Sequence, residues 1–307
     1  MKNFFRKYKK WYFFAAAFLG VRILIFWSFW QASQSRGGWN NFYDWAQPAR
    51  LVFLRIFHEY CDWHPPLFYA FTSSALATIN SLWFIYILDL LLVFAASVFV
   101  YKIARLFFSE RISFAAALLI SLEPFWAWQN MLLASENLFL PLLLAGFYYF
   151  FKFAKFGGRR EIIFSAFFLG LASLTRLNSL LFAPIFSVLL FIIFLLKNYL
   201  KFDFLPKLSF KRLLADLIIF NLAFVLVLAP WMVRNKIVYG RLALSNLTAS
   251  NYYFYNLPPL IAWQEKVSEA RSQEVVRQKA YLALGENVGD QGNCKKFPKE
   301  QFSAQLN

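Results

Sequence analysis

Two short runs in one early polar stretch carry the residue types most capable of chemistry. Asn41-Phe42-Tyr43-Asp44-Trp45-Ala46 sets a carboxylate among aromatic rings, and His64-Pro65-Pro66-Leu67 sets an imidazole ahead of two prolines. A carboxylate so placed can act as a general base or hold a divalent cation; a solvated loop acid or helix cap is the alternative. The prolines fix the backbone after His64 and remove two donors, so its ring is held at a helix start where it suits a phosphate or a carboxylate. The competing reading gives that role to the prolines alone. Glu136 follows Ser135 at the end of a long apolar run, where an ionisable group is expensive and points to function. Arg176 lies in Leu174-Thr175-Arg176-Leu177-Asn178, and Arg234 in Pro230-Trp231-Met232-Val233-Arg234-Asn235. Guanidinium groups at the edge of apolar runs suit a lipid phosphate, which they can bind bidentately; snorkelling to headgroups is the alternative. His58, Glu59 and Asp62 stand near His64, but their spacing fits no strong metal pattern.

These residues need elements to position them, and composition says what kind. The 307 residues are 60% hydrophobic and 21% aromatic, with a mean hydropathy of +0.48. Apolar runs of spanning length recur, which makes the chain an all-α polytopic membrane protein. The net charge of +16 does not indicate nucleic acid, because most Lys and Arg fall in short clusters between apolar runs. Two cysteines, Cys61 and Cys294, give no disulfide framework and no thiolate metal site. Basic residues precede the first apolar run, Trp11 to Trp30, which reads as a retained signal-anchor.

Spans are expected at about 11–30, 83–101, 112–128, 131–151, 162–175, 179–196 and 213–231, seven in all, with the N-terminus inside. The clusters Lys2 to Lys10, Lys102 to Arg111, Lys152 to Arg160 and Lys197 to Arg212 then share the cytoplasmic side. Leu67 to Leu82 cannot be a full crossing in this scheme, so it is expected as an interfacial or re-entrant helix on the outer face. The runs after Arg111 and Ile162 look short, as spans that line a polar cavity do. Residues 1–233 form the membrane region and 234–307 an extracytoplasmic tail, with a surface helix expected over Glu265 to Ala283. Asn246-Leu247-Thr248 is a glycosylation sequon on the outer side.

Taken in order, the set resembles a known superfamily. A basic N-terminus and one span lead to Tyr43-Asp44, then His64-Pro65-Pro66-Leu67. Ser135-Glu136-Asn137-Leu138-Phe139, Leu174-Thr175-Arg176 and Pro230-Trp231-Met232-Val233-Arg234-Asn235 follow. This is similar to the GT-C superfamily of membrane glycosyltransferases that use polyprenyl-phosphate sugars, in particular the protein O-mannosyltransferase and lipid A aminoarabinose transferase group. The resemblance covers roughly residues 10 to 260 and implies a GT-C-like helical bundle whose first outer loop contains interfacial helices. It implies that Asp44 is the first-loop catalytic acid, as base or metal ligand, and that Glu136 is the second acid. Arg176 matches the basic residue facing the donor phosphate, and His64-Pro65-Pro66 the motif that opens the surface helix. Relatives often pair two acids in the first loop, whereas Trp45 follows Asp44 here. They also continue past the Arg-Asn motif with more spans, so the tail is expected to begin a truncated C-terminal region.

The expected activity is inverting transfer of a sugar from a polyprenyl phosphate to a lipid, glycan or protein acceptor on the outer face. Asp44 and Glu136 are its candidate catalytic residues, and Arg176, Arg234 and His64 its phosphate contacts. Asp44 and Glu136 are also the candidate ligands of a divalent cation (Mg, Mn or Zn). A bacterial or archaeal plasma membrane fits better than endoplasmic reticulum. Tyr252, Tyr253, Phe254 and Tyr255 suit an interfacial aromatic belt or sugar stacking. The alternative is a transporter or lipid flippase, but no inverted repeat is visible and the polar residues sit near the outer surface.

Overall fold

The computed structural model describes residues 2–34, 65–79, 81–129, 134–200, 209–245 and 256–284, which are helical with no strand among them. The helices are α1 (Lys2–Gln34), α2 (Leu67–Thr78), α3 (Leu82–Ala104), α4 (Glu110–Leu122), α5 (Pro124–Gln129), α6 (Ser135–Phe156) and α7 (Arg159–Thr175). A 3-10 turn (Leu177–Leu181) leads into α8 (Phe182–Leu200), followed by α9 (Phe210–Tyr239), α10 (Leu257–Glu265) and α11 (Glu269–Leu284). The chain divides into two compact units. The first holds the described residues up to Leu228 apart from Pro65 and Pro66, which group with the second, and the second holds those from Ala229 onward.

Five helical stretches are long and apolar enough to cross a membrane: Lys9–Ser28, Trp83–Ala104, Ser135–Phe156, Leu177–Leu196 and Phe210–Val238. Their outward faces carry large apolar side chains such as Leu91, Ile218 and Leu226, each about 60% exposed. In water such a surface would drive association; in hydrocarbon it is the ordinary exterior. The expected spans 112–128 and 162–175 correspond to shorter helices. α4 has 13 residues and α7 has 17, about 20 and 25 Å of helix.

Contacts fix how these short helices run. Lys10 of α1 pairs with Glu110 at the start of α4. Twelve residues further along α1, Arg22 donates to the Ser121 carbonyl at the end of α4, at 2.6 Å. The two helices are therefore parallel and in step. α4 stops because Pro124 lacks an N–H and disfavours helix at Glu123, which is extended at φ −62°, ψ 119°. The Glu123 carboxylate then caps α5 by accepting from the Phe125 and Trp126 amides. Those amides would otherwise have served the Ser121 and Leu122 carbonyls of a continuous helix, and Arg22 supplies the missing donor to Ser121.

α6 and α7 form the closest pair. Gly146 lets α7 approach so closely that a Cβ there would lie 2.7 Å from Leu169 Cγ. Through the same gap Ser165 donates to the Gly146 carbonyl at 2.9 Å. Gly170 does the same for α9, with Val227 Cβ 2.8 Å from the would-be side chain. Small residues and interhelical hydrogen bonds are the means of cohesion where lipid removes the hydrophobic drive between helices. Between α1, α3 and α4, Trp11, Phe14, Phe94, Tyr101 and Phe114 pack edge to face, with ring centroids 4.9 to 6.0 Å apart. α2, expected as a non-crossing helix, is 12 residues long and lays Ala75 and Leu76 on Ile85, with Phe84 and Leu88 alongside. It thus covers the first two turns of α3.

In the second unit, Gly240 ends α9 in the left-handed region at φ 77°. The chain then folds back along the helix: Trp231 Nε1 donates to the Leu244 carbonyl at 3.0 Å and Asn235 Nδ2 to that of Ala243 at 2.8 Å. The surface helix expected near Glu265 to Ala283 is α11, largely exposed, with Ser272 and Val276 buried. It packs against α10.

Candidate active site

Arg176 and Glu136 meet. The guanidinium of Arg176, in extended backbone at the end of α7, forms an ion pair with the Glu136 carboxylate in the first turn of α6. Arg176 Nη1 also donates to Ser135 Oγ at 3.2 Å, and that hydroxyl donates onward to Glu136 Oε2 at 3.3 Å. Both charged side chains are about one-third exposed, so the pair is open to a ligand. Local bonds hold the Arg176 backbone. Its amide donates to the Ala172 carbonyl at 2.8 Å, its own carbonyl accepts from the Ser179 hydroxyl, and Ser179 Oγ lies 2.9 Å from Ser173 Oγ.

A second polar contact lies one residue along α6. Asn137, fully buried, donates through Nδ2 to Asp89 Oδ2 of α3 at 2.9 Å. Asp89 is 1% exposed, and its other oxygen has no hydrogen-bond partner among the described residues. Consecutive residues of α6 therefore engage two neighbouring helices, Glu136 that of Arg176 by an ion pair and Asn137 that of Asp89 by a hydrogen bond.

Arg234 belongs to the second unit. It is buried, donates from Nη1 to Asn235 Oδ1 at 2.9 Å, and stacks 4.6 Å over the Trp231 ring. Asp44 and His64 lie outside the described residues, as do His58, Glu59, Asp62, Cys61, Cys294, Asn246 and the aromatic run Tyr252 to Tyr255. For a cation, Glu136 is the described member of the expected ligand pair, and it faces a guanidinium. No group of three His, Cys, Asp or Glu suited to a metal occurs among the described residues.

The sequence model of the family described as dolichyl-phosphate-mannose-protein mannosyltransferase matches residues 63–231. The chain belongs to this family. It is a multi-pass membrane glycosyltransferase of the GT-C kind. No curated protein and no solved structure matches it. The matched stretch contains His64, Asp89, Glu136, Asn137 and Arg176, while Asp44 and Arg234 fall on either side of it.

Within this glycosyltransferase fold, sequence reasoning missed Asp89 and Arg22. Each is a lone ionisable residue within a long apolar run, and that isolation was the available signal. Arg22 is 2% exposed, with its guanidinium 3.6 Å over the Phe18 ring. A third missed group lies at the basic end of the bundle. Asp216 of α9, fully buried, accepts from Arg159 Nε at 3.0 Å and pairs with Arg212 at 3.6 Å. Arg212 also donates to the Gly157 carbonyl at 2.6 Å, fastening the turn between α6 and α7 to α9.

Proposed function

We propose that this glycosyltransferase moves a sugar from a polyprenyl phosphate to an acceptor on the extracytoplasmic face, with Arg176 as the counter-charge for the donor phosphate. The observation that carries the reading is the Arg176–Glu136 pair, built from two helices and partly open. Bond cleavage at the anomeric carbon leaves the electron pair on polyprenyl phosphate, and the barrier falls when fixed positive charge meets it. Arg176 suits that role because its planar fork can hold Glu136 on one edge and offer its remaining N–H groups to phosphate oxygens. Glu136 keeps the guanidinium oriented before the donor arrives.

In the same proposal Asp44 accepts the proton of the attacking acceptor O–H or N–H. The new bond forms on the face opposite the phosphate, so a single displacement inverts the centre. His64 and Arg234 are further candidates for contact with the phosphate or its lipid. No step is routed through a divalent cation, because a carboxylate already facing a guanidinium is a poor ligand for one. Treatment with EDTA tests that choice: sustained transfer supports it, and loss restored by Mg, Mn or Zn overturns it. Family membership favours transfer over transport of the intact lipid.

The test is transfer of label from polyprenyl-phosphate mannose by the protein in nanodiscs, with a total membrane extract as acceptor source. Replacing one preorganised donor of this kind commonly lowers the rate by about 100- to 1,000-fold, and Arg176→Gln is expected in that range. Asp44→Asn is expected to abolish transfer while leaving donor binding. Wild-type rates in Arg176→Gln overturn the phosphate assignment. Movement of intact lipid across the nanodisc's liposome counterpart, without transfer, overturns the reaction itself.

A further inference from the structure

We propose that Asp89 and Asn137 act as a positioning pair for the Arg176–Glu136 site, holding the first turn of α6 so that Glu136 presents Arg176 to the donor phosphate. The inference rests on the reading of that ion pair as the phosphate site. Three observations support it. Asp89 and Asn137 are 1% and 0% exposed and joined at 2.9 Å, so the contact is shielded from water and directional. Asn137 adjoins Glu136 in the chain, so a rotation of the first turn of α6 that breaks the buried contact also swings Glu136. The start of this helix has no side-chain cap of its own: Ala134 is its N-cap residue. Of the contacts that Ser135, Glu136 and Asn137 make in that first turn, only that of Asn137 is fully buried.

Asp89 is a costly residue for bundle cohesion alone. A carboxylate within an apolar span has one oxygen without a hydrogen-bond partner among the described residues, where an apolar residue or a serine would pack without that penalty. An acceptor fixed opposite Asn137 explains its presence. Burial of both side chains shields the contact from water and strengthens it.

The experiment measures affinity of the purified protein in nanodiscs for decaprenyl phosphate, with uncharged decaprenol as the control, by intrinsic tryptophan fluorescence. The variants are Asp89→Leu, Asn137→Leu, Asp89→Asn and Arg176→Gln, singly and with Asp89→Leu and Arg176→Gln combined. Asp89→Leu and Asn137→Leu are expected to weaken phosphate binding about 10-fold without changing decaprenol binding. Asp89→Asn, which can still accept from Asn137 through its amide oxygen, is expected to bind like the wild type. In the Arg176→Gln background, Asp89→Leu is expected to add no further loss, because the pair acts through Arg176. Wild-type affinity in a folded Asp89→Leu protein, or an additive loss in the double variant, overturns the positioning role. If Asp89→Leu fails to fold, the Asn137→Leu affinity decides by the same criterion. Unchanged affinity in Arg176→Gln alone overturns the phosphate site, an outcome distinct from failure of the positioning pair.

Discussion

At the scale of single residues, the charges inside apolar helices carry most of the information, and Arg22 shows why magnitudes matter. Its charge-assisted bond to the Ser121 carbonyl contributes about 1.5 to 3 kcal/mol. Holding a guanidinium at membrane depth costs about 2.5 to 3.5 kcal/mol. These nearly offset, so Arg22→Met is expected to leave the unfolding midpoint of the protein close to wild type. The loss appears locally instead. Ser121 then lacks a donor at the break before Pro124, and the α4–α5 junction opens more often. Hydrogen exchange read by mass spectrometry is expected to speed up over residues 121–126 and to stay unchanged over α7. Equal exchange at the junction in both proteins removes Arg22 from that role. Glu136 and Arg176 were legible in the sequence because each stands at the boundary of an apolar run, where a charge is conspicuous. The partners of Asp89 and Arg22 were not, since they lie 48 and 99 positions away and meet only through helix packing.

At the scale of elements, glycine contacts set the distance between helices and so the reach across the site. Leu169 occupies the space over Gly146, with its backbone nitrogen 3.3 Å from a would-be Cβ. Gly146→Ala therefore moves α7 away from α6 or strains Leu169, and overpacking of this kind costs about 1 to 3 kcal/mol. Because the ion pair joins the same two helices at one end, the substitution is also expected to weaken decaprenyl phosphate binding. Gly20 has open space around it, so Gly20→Ala is the control and is expected to change neither quantity. Equal thermal midpoints for the two variants would show that α6 and α7 are not held by close approach. Pro124 breaks the expected span 112–128 into two helices, and α6 runs past the expected end at 151 to Gly157, which caps it in the left-handed region at φ 71°. The short helix α10 was not expected. Its two prolines fall at the start, where they are compatible with helix.

At the scale of the molecule, the first unit separates charge by end. Lys10, Lys102, Arg105, Lys155, Arg159 and Arg212 gather at one end, with Lys155 donating to the Leu106 carbonyl and Arg159 and Arg212 clasping Asp216. The other end carries Arg22 and Arg176, both engaged with carbonyl or carboxylate groups. Basic residues in short loops remain on the cytoplasmic side, so this asymmetry predicts which face the site occupies. α6 and α7 make the inference sharp, because their contacts mark both levels. Lys152 pairs with Glu161 at 3.1 Å at the basic end, and Glu136 with Arg176 at the other. Sixteen residues of α6 and fifteen of α7 separate these contacts, about 24 and 22 Å along the helix axes. That distance exceeds what an interfacial helix pair would sample and approaches the thickness of the hydrocarbon core, about 30 Å. Arg160 and Asn178 are exposed beside the two levels and serve as reporters. With Cys61 and Cys294 replaced by serine, a membrane-impermeant maleimide applied to intact cells is expected to label Asn178→Cys at once. Arg160→Cys is expected to react only after permeabilisation. The reverse pattern would place Arg176 on the cytoplasmic face, and the donor phosphate would then have to be met from that side.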